Sequence, residues 1–317
     1  MKSGHFCWIT KDEIAHFRKM EGEISKMQPL IFTAQSVASE RHPERNEDSF
    51  IADQENGLAG VFDGVGVPAK AKIRASQIAA RVLLQEWKQF MLQKQPEHTL
   101  LTLGPQDTSL DLKATLSKIA EKANSQIRAA NKRNIFHKTE PQATTMVLAA
   151  LCRRADNNEY LMTFVSIGDS RIYMLREHQA LTCLTRDDGN LTRLVERQTI
   201  TEADALRIDQ ATHPDQLSEI ELSYLKKRSE IFQMLGASHI TIQSDQTRII
   251  SGDHILLCSD GIHDNLTNDE IEEVIKRIDP TTIAQGLVER ALERSRQESN
   301  VTMRAKPDDM TAVVITY

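Results

Sequence analysis

Residues 49–64 read SFIADQENGLAGVFDG. Two short apolar runs, 49–53 and 58–62, flank a loop that contains the pair Asn56-Gly57, a strong turn signal between antiparallel strands. The pattern therefore predicts a β-hairpin, and it places Asp63 just beyond the end of the second strand. Asp63 is one of several acidic residues that stand at the edge of an apolar run.

The rest of the chain continues in blocks of strands and blocks of helices. Further strand-like runs are 30–37, 144–152, 160–167, 171–176, 240–250, 254–258 and 310–317. Helical apolar stripes are found after Pro68 and over 112–131, 268–278 and 282–296. Because the two types do not alternate singly, the pattern favours an α+β fold with mostly antiparallel sheets covered by helix pairs.

Two segments fall outside this pattern. Residues 10–28 read as a weakly amphipathic helix closed by Pro29, so we expect an N-terminal helical extension over 1–28 and a main domain over 29–317. Residues 187–236 are polar, helical and poor in large apolar side chains, which is typical of an excursion at the edge of the body.

Composition narrows the class of protein. The 317 residues are 40% apolar and carry a net charge of −6, with no long basic run, so no nucleic-acid surface is expected. Four scattered cysteines without a Cys-x-x-Cys pair indicate a reducing compartment and no zinc site. No stretch is long and apolar enough to span a membrane or to form a signal peptide. We expect a cytoplasmic monomer, although secretion without a cleavable N-terminal signal stays open.

The acidic residues carry the chemistry. They form four short groups: Asn46-Glu47-Asp48, Asp63-Gly64, Asp260-Gly261 and Asp308-Asp309. Carboxylates that converge in a fold repel one another unless a hard cation neutralises them, and Mg²⁺ or Mn²⁺ is the usual oxygen-ligated ion. The sequence therefore predicts a metal-dependent hydrolase site.

Six motifs, in order, give the chain a resemblance to a known family. They are NEDSF (46–50), VFDGVG (61–66), TTMV (144–147), IGDSR (167–171), LLCSDGIHD (256–264) and PDDMTAVV (307–314). In this order and spacing they resemble the metal-dependent serine/threonine protein phosphatases of type 2C, in particular bacterial members, over roughly residues 30–317. The resemblance implies two antiparallel sheets packed as a sandwich, helix pairs on both outer faces and a flap subdomain at 187–236.

The resemblance also implies a site and a reaction. Asp63 would bridge two Mg²⁺ or Mn²⁺ ions, the Gly64 carbonyl would bind the first ion, and Asp260 and Asp308 would bind the second. Glu47 and Asp48 would bind metal directly or hold its waters, and Asp169 with Asp260 would hold a third ion. A metal-activated water would then hydrolyse phosphoserine or phosphothreonine monoesters on a phosphorylated protein substrate. Asp309 would support the ligands without binding metal.

Two departures from the family pattern bear on the substrate. Pro43 stands where the family has a phosphate-binding arginine, and the flanking Arg41 and Arg45 are the candidates to replace it. Val65 stands where animal members have a histidine that protonates the leaving group. His263 and His42 are interpreted as bystanders.

Two alternative functions remain at this point. The chain could be an inactive or weakly active relative that binds or regulates a partner, although such relatives usually lose metal carboxylates. It could also apply the same metal chemistry to another phosphoester, which the displaced arginine and the enlarged flap would allow.

Overall fold

The computed structural model describes residues 30–66, 73–94, 100–104, 111–135, 141–155, 159–298 and 300–317. The predicted helical extension at 1–28 lies outside the described residues, as do the first residues after Pro68. The boundaries 1–28 and 29–317 therefore stay predictions.

Two sheets form the centre of the fold. The first sheet has the order β1 (Ile31–Val37), β13 (Met310–Thr316), β12 (His254–Cys258), β9 (Arg171–Leu175) and β10 (Thr182–Cys183). The second has the order β11 (Gln243–Ile249), β8 (Tyr160–Ile167), β7 (Met146–Arg154), β3 (Leu58–Phe62) and β2 (Ser49–Asp53). The short β5 (Thr102–Leu103) joins β7 in parallel, whereas the other pairings described are antiparallel. A separate two-stranded ladder joins β4 (Gly64–Val65) to β6 (Ala143–Thr144).

Alternation along the strands produces buried layers on both faces of each sheet. In β7, Val147, Ala149 and Leu151 face the other sheet, where they pack with Ile255 and Leu257 of β12. The intervening residues of β7 face the helices α1 (Ala75–Lys94) and α2 (Leu112–Ile135). A strand that is apolar on both faces is expected in the middle of a four-layer structure.

The opposite outer face is covered by α7 (Asn268–Arg277) and α8 (Ile283–Ser295), which pack on the outer side of the first sheet. A capping box starts α7: Thr267 Oγ1 accepts from Glu270 N at 3.3 Å, and Glu270 Oε2 accepts from Thr267 N at 2.9 Å. The order of layers is thus helix pair, sheet, sheet, helix pair, and the predicted α+β sandwich is confirmed.

The segment 187–236, which we call the flap, is helical. It contains α3 (Asn190–Glu196), α4 (Glu202–Gln210), a 3₁₀ turn (Pro214–Gln216) and α5 (Glu219–Leu225). Its two ends are adjacent, because Phe232 N donates to Asp188 O at 2.9 Å. The sequence suggested few core residues here. Instead Ile208, Leu217 and Leu225 form a small buried core, against which Met303 of the main body packs.

The remaining differences from expectation are local. The run 240–250 is a strand only over Gln243–Ile249, and the two-residue strands were too short to carry a pattern. Asp260 does not simply follow a strand: it is the first residue of the short helix α6 (Asp260–His263). Among the described residues, no helix is long and apolar enough to cross a membrane.

Candidate metal centre

The acidic groups meet at one end of the sandwich. We call the carboxylates of Glu47, Asp48, Asp63, Asp169, Asp260 and Asp308 the acidic cluster. Burial raises the pKa of Asp63 well above its usual range, and the charges of four of the other carboxylates in the cluster raise it further. The predicted residues are therefore neighbours in space, although they come from five places in the chain.

Backbone contacts explain why two glycines stand beside these aspartates. A Cβ atom on Gly64 would lie 2.5 Å from the carbonyl oxygen of Glu47, and one on Gly261 would lie 2.0 Å from the carbonyl oxygen of Asp309. Neither position has room for a side chain. The glycines allow the acidic groups to approach one another in pairs, 47 with 64 and 261 with 309.

The Asp63 backbone is fixed by two threonines at the head of β7. Asp63 N donates to Thr145 Oγ1 at 3.1 Å, and Asp63 O accepts from Thr145 N at 2.9 Å and from Thr144 Oγ1 at 2.7 Å. Thr145 Oγ1 also lies 2.7 Å from Ser170 Oγ, beside Asp169. The TTMV and IGDSR motifs thus hold Asp63 and Asp169 side by side.

Asp309 positions the loop that carries Glu47. Its carboxylate accepts from Ser39 N at 2.7 Å and from Glu47 N at 2.6 Å. Both of its oxygens are engaged by backbone donors, which fits the expected supporting role. Asp48 is held in a similar way, because Ser259 Oγ donates to its Oδ2 at 2.8 Å.

Burial raises the pKa of several carboxylates in the acidic cluster. Asp48 is 6% exposed, and burial raises its pKa to about 8. Burial, followed by the charge of Asp260, raises the pKa of Asp169 well above its usual range. Burial also raises the pKa of Glu47. In each case burial is the largest cause of the raised pKa, and neighbouring carboxylates raise it further.

Two observations bear on whether these residues fit a metal ion. Asp48 Oδ1 and Asp260 Oδ1 are buried and have no hydrogen-bond partner among the described residues, as expected of oxygens that a hard cation would complete. Within the same residues, however, no three Asp, Glu, His or Cys side chains are already arranged as a metal-binding group. The donor set fits Mg²⁺ or Mn²⁺ in chemistry, and the side chains would have to close around the ion.

Lys306 is a residue that the sequence analysis missed. Its Nζ lies 2.9 Å from Asp264 Oδ2 and 3.1 Å from Asp308 Oδ2, and it also donates to Asp260 Oδ2. A lone lysine two residues before an aspartate carries no sequence signal, since surface lysines are common. Only the fold brings this ammonium into the acidic cluster.

The two candidate phosphate-binding arginines occupy different surroundings. Arg45 Nη2 lies 2.8 Å from Glu47 Oε1 at the edge of the acidic cluster, and its buried Nε has no hydrogen-bond partner among the described residues. Arg41 is exposed, and the contact recorded for it is a backbone bond from Arg41 N to Ser39 Oγ. Arg74, which the sequence analysis did not single out, also reaches this loop and donates to Asn46 O.

His263 is buried next to Asp169. Its Nε2 donates to the Asp169 carbonyl at 3.0 Å, and burial lowers its pKa to about 3, so the ring is neutral. A neutral histidine committed to a backbone carbonyl has no proton to give to a leaving group. The interpretation as a bystander fits this arrangement.

A second charged network, which we call the flap junction, joins the flap to the main body beside the acidic cluster. Arg171 Nη2 lies 2.7 Å from Asp187 Oδ2 and 2.9 Å from Asp209 Oδ1. Arg228 of the flap lies 3.2 Å from Asp264 Oδ1. The fully buried Arg304 donates to the carbonyls of Asp209, Ala211, His263 and Leu266.

Comparisons with known proteins agree with this geometry. The profile of the protein phosphatase 2C family matches residues 38–299, so the chain belongs to that family. Relatives that match it are named serine/threonine protein phosphatases, which are hydrolases.

Among individual proteins, the chain is similar to the serine/threonine protein phosphatase PstP of Mycobacterium tuberculosis, with 28% identity over 258 residues. This covers 81% of the chain but only 41% of that protein, so the match spans about two fifths of the relative's length. The serine/threonine phosphatase stp of Listeria monocytogenes is 24% identical over 236 residues, covering 74% of the chain and 78% of that protein.

A solved structure of M. tuberculosis PstP/Ppp superposes with a TM-score of 0.64 and 25% identity, covering 90% of this chain and 98% of that one. A PstP catalytic-domain structure in complex with two manganese ions has a TM-score of 0.64 and 24% identity, covering 90% and 97%. Both likenesses support the fold described above.

Proposed function

We propose that this protein hydrolyses phosphoserine and phosphothreonine monoesters on phosphorylated proteins, with two Mg²⁺ or Mn²⁺ ions in the acidic cluster. The observation that carries the proposal is the meeting of buried carboxylates from five places in the chain, where burial and then their mutual repulsion raise the pKa of Asp48, Asp63 and Asp169. Family membership supports the same reaction.

The resemblance to the family assigns a role to each residue of the cluster. Asp63 and the Gly64 carbonyl would hold the first ion, and Asp63, Asp260 and Asp308 would hold the second. Glu47 and Asp48 would bind metal directly or hold its waters. Asp169, together with Asp260, would hold a third ion. When bound, the ions supply an activated water nucleophile and neutralise the phosphate charge. Thr144 and Thr145 keep Asp63 in place, and Asp309 keeps the Glu47 loop in place.

Arg45 is the better candidate to orient the phosphate. Its guanidinium stands at the edge of the acidic cluster and keeps a buried, unused Nε donor, whereas Arg41 is exposed. A guanidinium can bind a phosphate with two hydrogen bonds, which would fix the ester relative to the metal ions.

The test is phosphate release from a phosphothreonine peptide and from p-nitrophenyl phosphate, each in Mn²⁺ and in EDTA. We expect turnover of the peptide in Mn²⁺ and none in EDTA. Turnover of the small ester alone would favour another phosphoester as the natural substrate. Mn²⁺ binding without turnover of either compound would indicate a binding relative, and full activity in EDTA would reject the metal mechanism.

A further inference from the structure

Lys306 places a protein cation among the groups assigned to metal. An ammonium has three N–H donors, and in Lys306 they are directed to three carboxylates, those of Asp260, Asp264 and Asp308. Two of these, Asp260 and Asp308, are the ligands assigned to the second ion. Within the part of the chain that the structure describes, Asp264 has a second cationic partner, Arg228, and the other two have none.

The fold holds this lysine in place. Two hydrogen bonds to the Asn265 side chain fix the Lys306 backbone. Lys306 N donates to Asn265 Oδ1 at 3.0 Å, and Lys306 O accepts from Asn265 Nδ2 at 2.9 Å. Asn265 is fully buried and also donates to Gly261 O at 2.8 Å. The lysine backbone is therefore tied to the same short segment that carries Asp260.

This arrangement differs from that of an ordinary surface lysine. Lys276 pairs with Glu272 one helical turn away, and its side chain is 51% exposed. The Lys306 side chain is 26% exposed, and its partners Asp264, Asp260 and Asp308 are 5%, 11% and 35% exposed. Charge–charge contacts in such a site are screened little by water, so they affect any other cation that uses the same oxygens.

We propose that Lys306 is a built-in cation that competes with the second divalent ion for Asp260 and Asp308 and so weakens the binding of that ion. The inference rests on the proposed metal centre. It has two consequences. The metal-free protein tolerates its acidic cluster because Lys306 neutralises part of it, and loading of the second ion requires Lys306 to release at least one carboxylate.

The test is Mn²⁺ binding by calorimetry on the metal-stripped full chain, without any phosphoester present. Lys306→Met keeps the aliphatic stem and removes the charge, Lys306→Arg keeps a charge, and Lys276→Met is the matched control. We expect the Kd of the weaker Mn²⁺ site to fall about tenfold in Lys306→Met, because hydrogen bonds between charged groups no longer compete with the ion. Lys306→Arg and Lys276→Met should bind Mn²⁺ as the wild type does.

Thermal melting provides the second readout. Lys306→Met should melt at a lower temperature than the wild type in EDTA and should gain more on addition of Mn²⁺, since the stabilisation of the folded state by a bound ion increases with the logarithm of the ratio of Mn²⁺ concentration to Kd. A purely structural role would lower both melting temperatures by the same amount and leave the Kd unchanged. If Lys306→Met is unfolded in EDTA, the Mn²⁺ concentration that refolds it must lie below the wild-type Kd of the weaker site.

Unchanged or weaker Mn²⁺ binding by Lys306→Met, or failure of that variant to refold in Mn²⁺, would overturn the inference. If the wild type binds Mn²⁺ and releases phosphate in that case, the proposed function stands and only the role of Lys306 is rejected. If neither protein binds Mn²⁺, the metal centre itself is wrong, and both proposals are rejected together.

Discussion

The acidic cluster and the flap junction are neighbouring groups of buried charges, yet they differ in charge balance. In the flap junction, burial would raise the pKa of Asp209, but Arg171 and then Arg304 bring it below its usual range. In the acidic cluster, burial raises the pKa of Asp48 to about 8. Arginines of the chain neutralise Asp209, whereas Asp48 has no such partner among the described residues, so burial of a carboxylate is not by itself evidence of a functional site.

The contrast assigns different tasks to the two regions. Paired charges in the flap junction fix the flap against the loop that leads to Asp308, and they need nothing from outside the chain. The acidic cluster is left with excess negative charge that a bound cation would remove. The same substitution, Asp to Asn, should therefore have opposite effects on stability in the two places.

The largest effect is expected for Asp63→Asn. Losing the ligand assigned to both ions should lower kcat/KM for a phosphothreonine peptide by at least about a thousandfold, or about 4 kcal/mol of transition-state stabilisation. In EDTA, the variant should melt at the same temperature as the wild type or higher, because one repelled carboxylate is gone. Retention of more than a tenth of the activity, or unfolding in EDTA, would remove the distinction between the two regions.

Arg304→Met should produce the largest loss of stability in the flap junction. The guanidinium is 0% exposed and serves four backbone carbonyls that would remain buried without donors, so we expect a loss of about 3–4 kcal/mol. Arg296→Met is the matched control, since Arg296 is 54% exposed and pairs with Glu40 at the surface, where solvent and salt screen the two charges. Denaturant unfolding of both variants in EDTA measures the difference. Equal losses would show that Arg304 does not hold the flap.

Asp209→Asn completes the comparison with Asp63→Asn. It removes one of the two carboxylates that neutralise Arg171, and we expect a loss of about 2–3 kcal/mol at neutral pH. Because the folded-state pKa of Asp209 is lowered from 3.8, its contribution is complete above that pH and is lost as the pH falls further. The gap between wild type and variant should therefore shrink in acid. A gap that is constant down to pH 3, or a stabilised variant, would contradict a paired charge.

The sequence was informative where the signal is local and strong. The Asn56-Gly57 turn predicted the hairpin, and the alternating apolar runs predicted the strands of both sheets, because these signals come from residues close together in the chain. The order of the six motifs predicted that Asp63 and Asp260 meet. The sandwich was also predictable, because strands such as β7 are apolar on both faces.

Long-range polar contacts were not predictable in this way. Arg304 and Lys306 lie in a loop whose sequence looks solvated, and apart from Asp308 their side-chain partners are 38 to 95 residues away. Lys306 meets Asp260 only because Asn265 holds its backbone. The flap core was underestimated because four buried residues spread over positions 208–225 give no periodic signal, and Met303 outside the segment packs against them.

The smallest effect is expected for the phosphate contact, and it tests whether the edge of the acidic cluster also serves the substrate. Arg45→Ala should raise KM for the phosphothreonine peptide about tenfold, or about 1.4 kcal/mol, with a smaller change in kcat, because a guanidinium–phosphate contact exists both in the bound substrate and in the transition state. Arg41→Ala, four residues earlier and exposed, should leave both constants within about twofold.

The Arg45 partner Glu47 requires a second measurement, since losing the arginine also frees a carboxylate beside the metal ligands. Mn²⁺ affinity must therefore be measured in the same variant. A change in KM at unchanged Mn²⁺ affinity would assign Arg45 to the phosphate. A change in KM that follows a change in Mn²⁺ affinity would assign Arg45 to the acidic cluster. A larger change in KM in Arg41→Ala would reverse the choice between the two arginines.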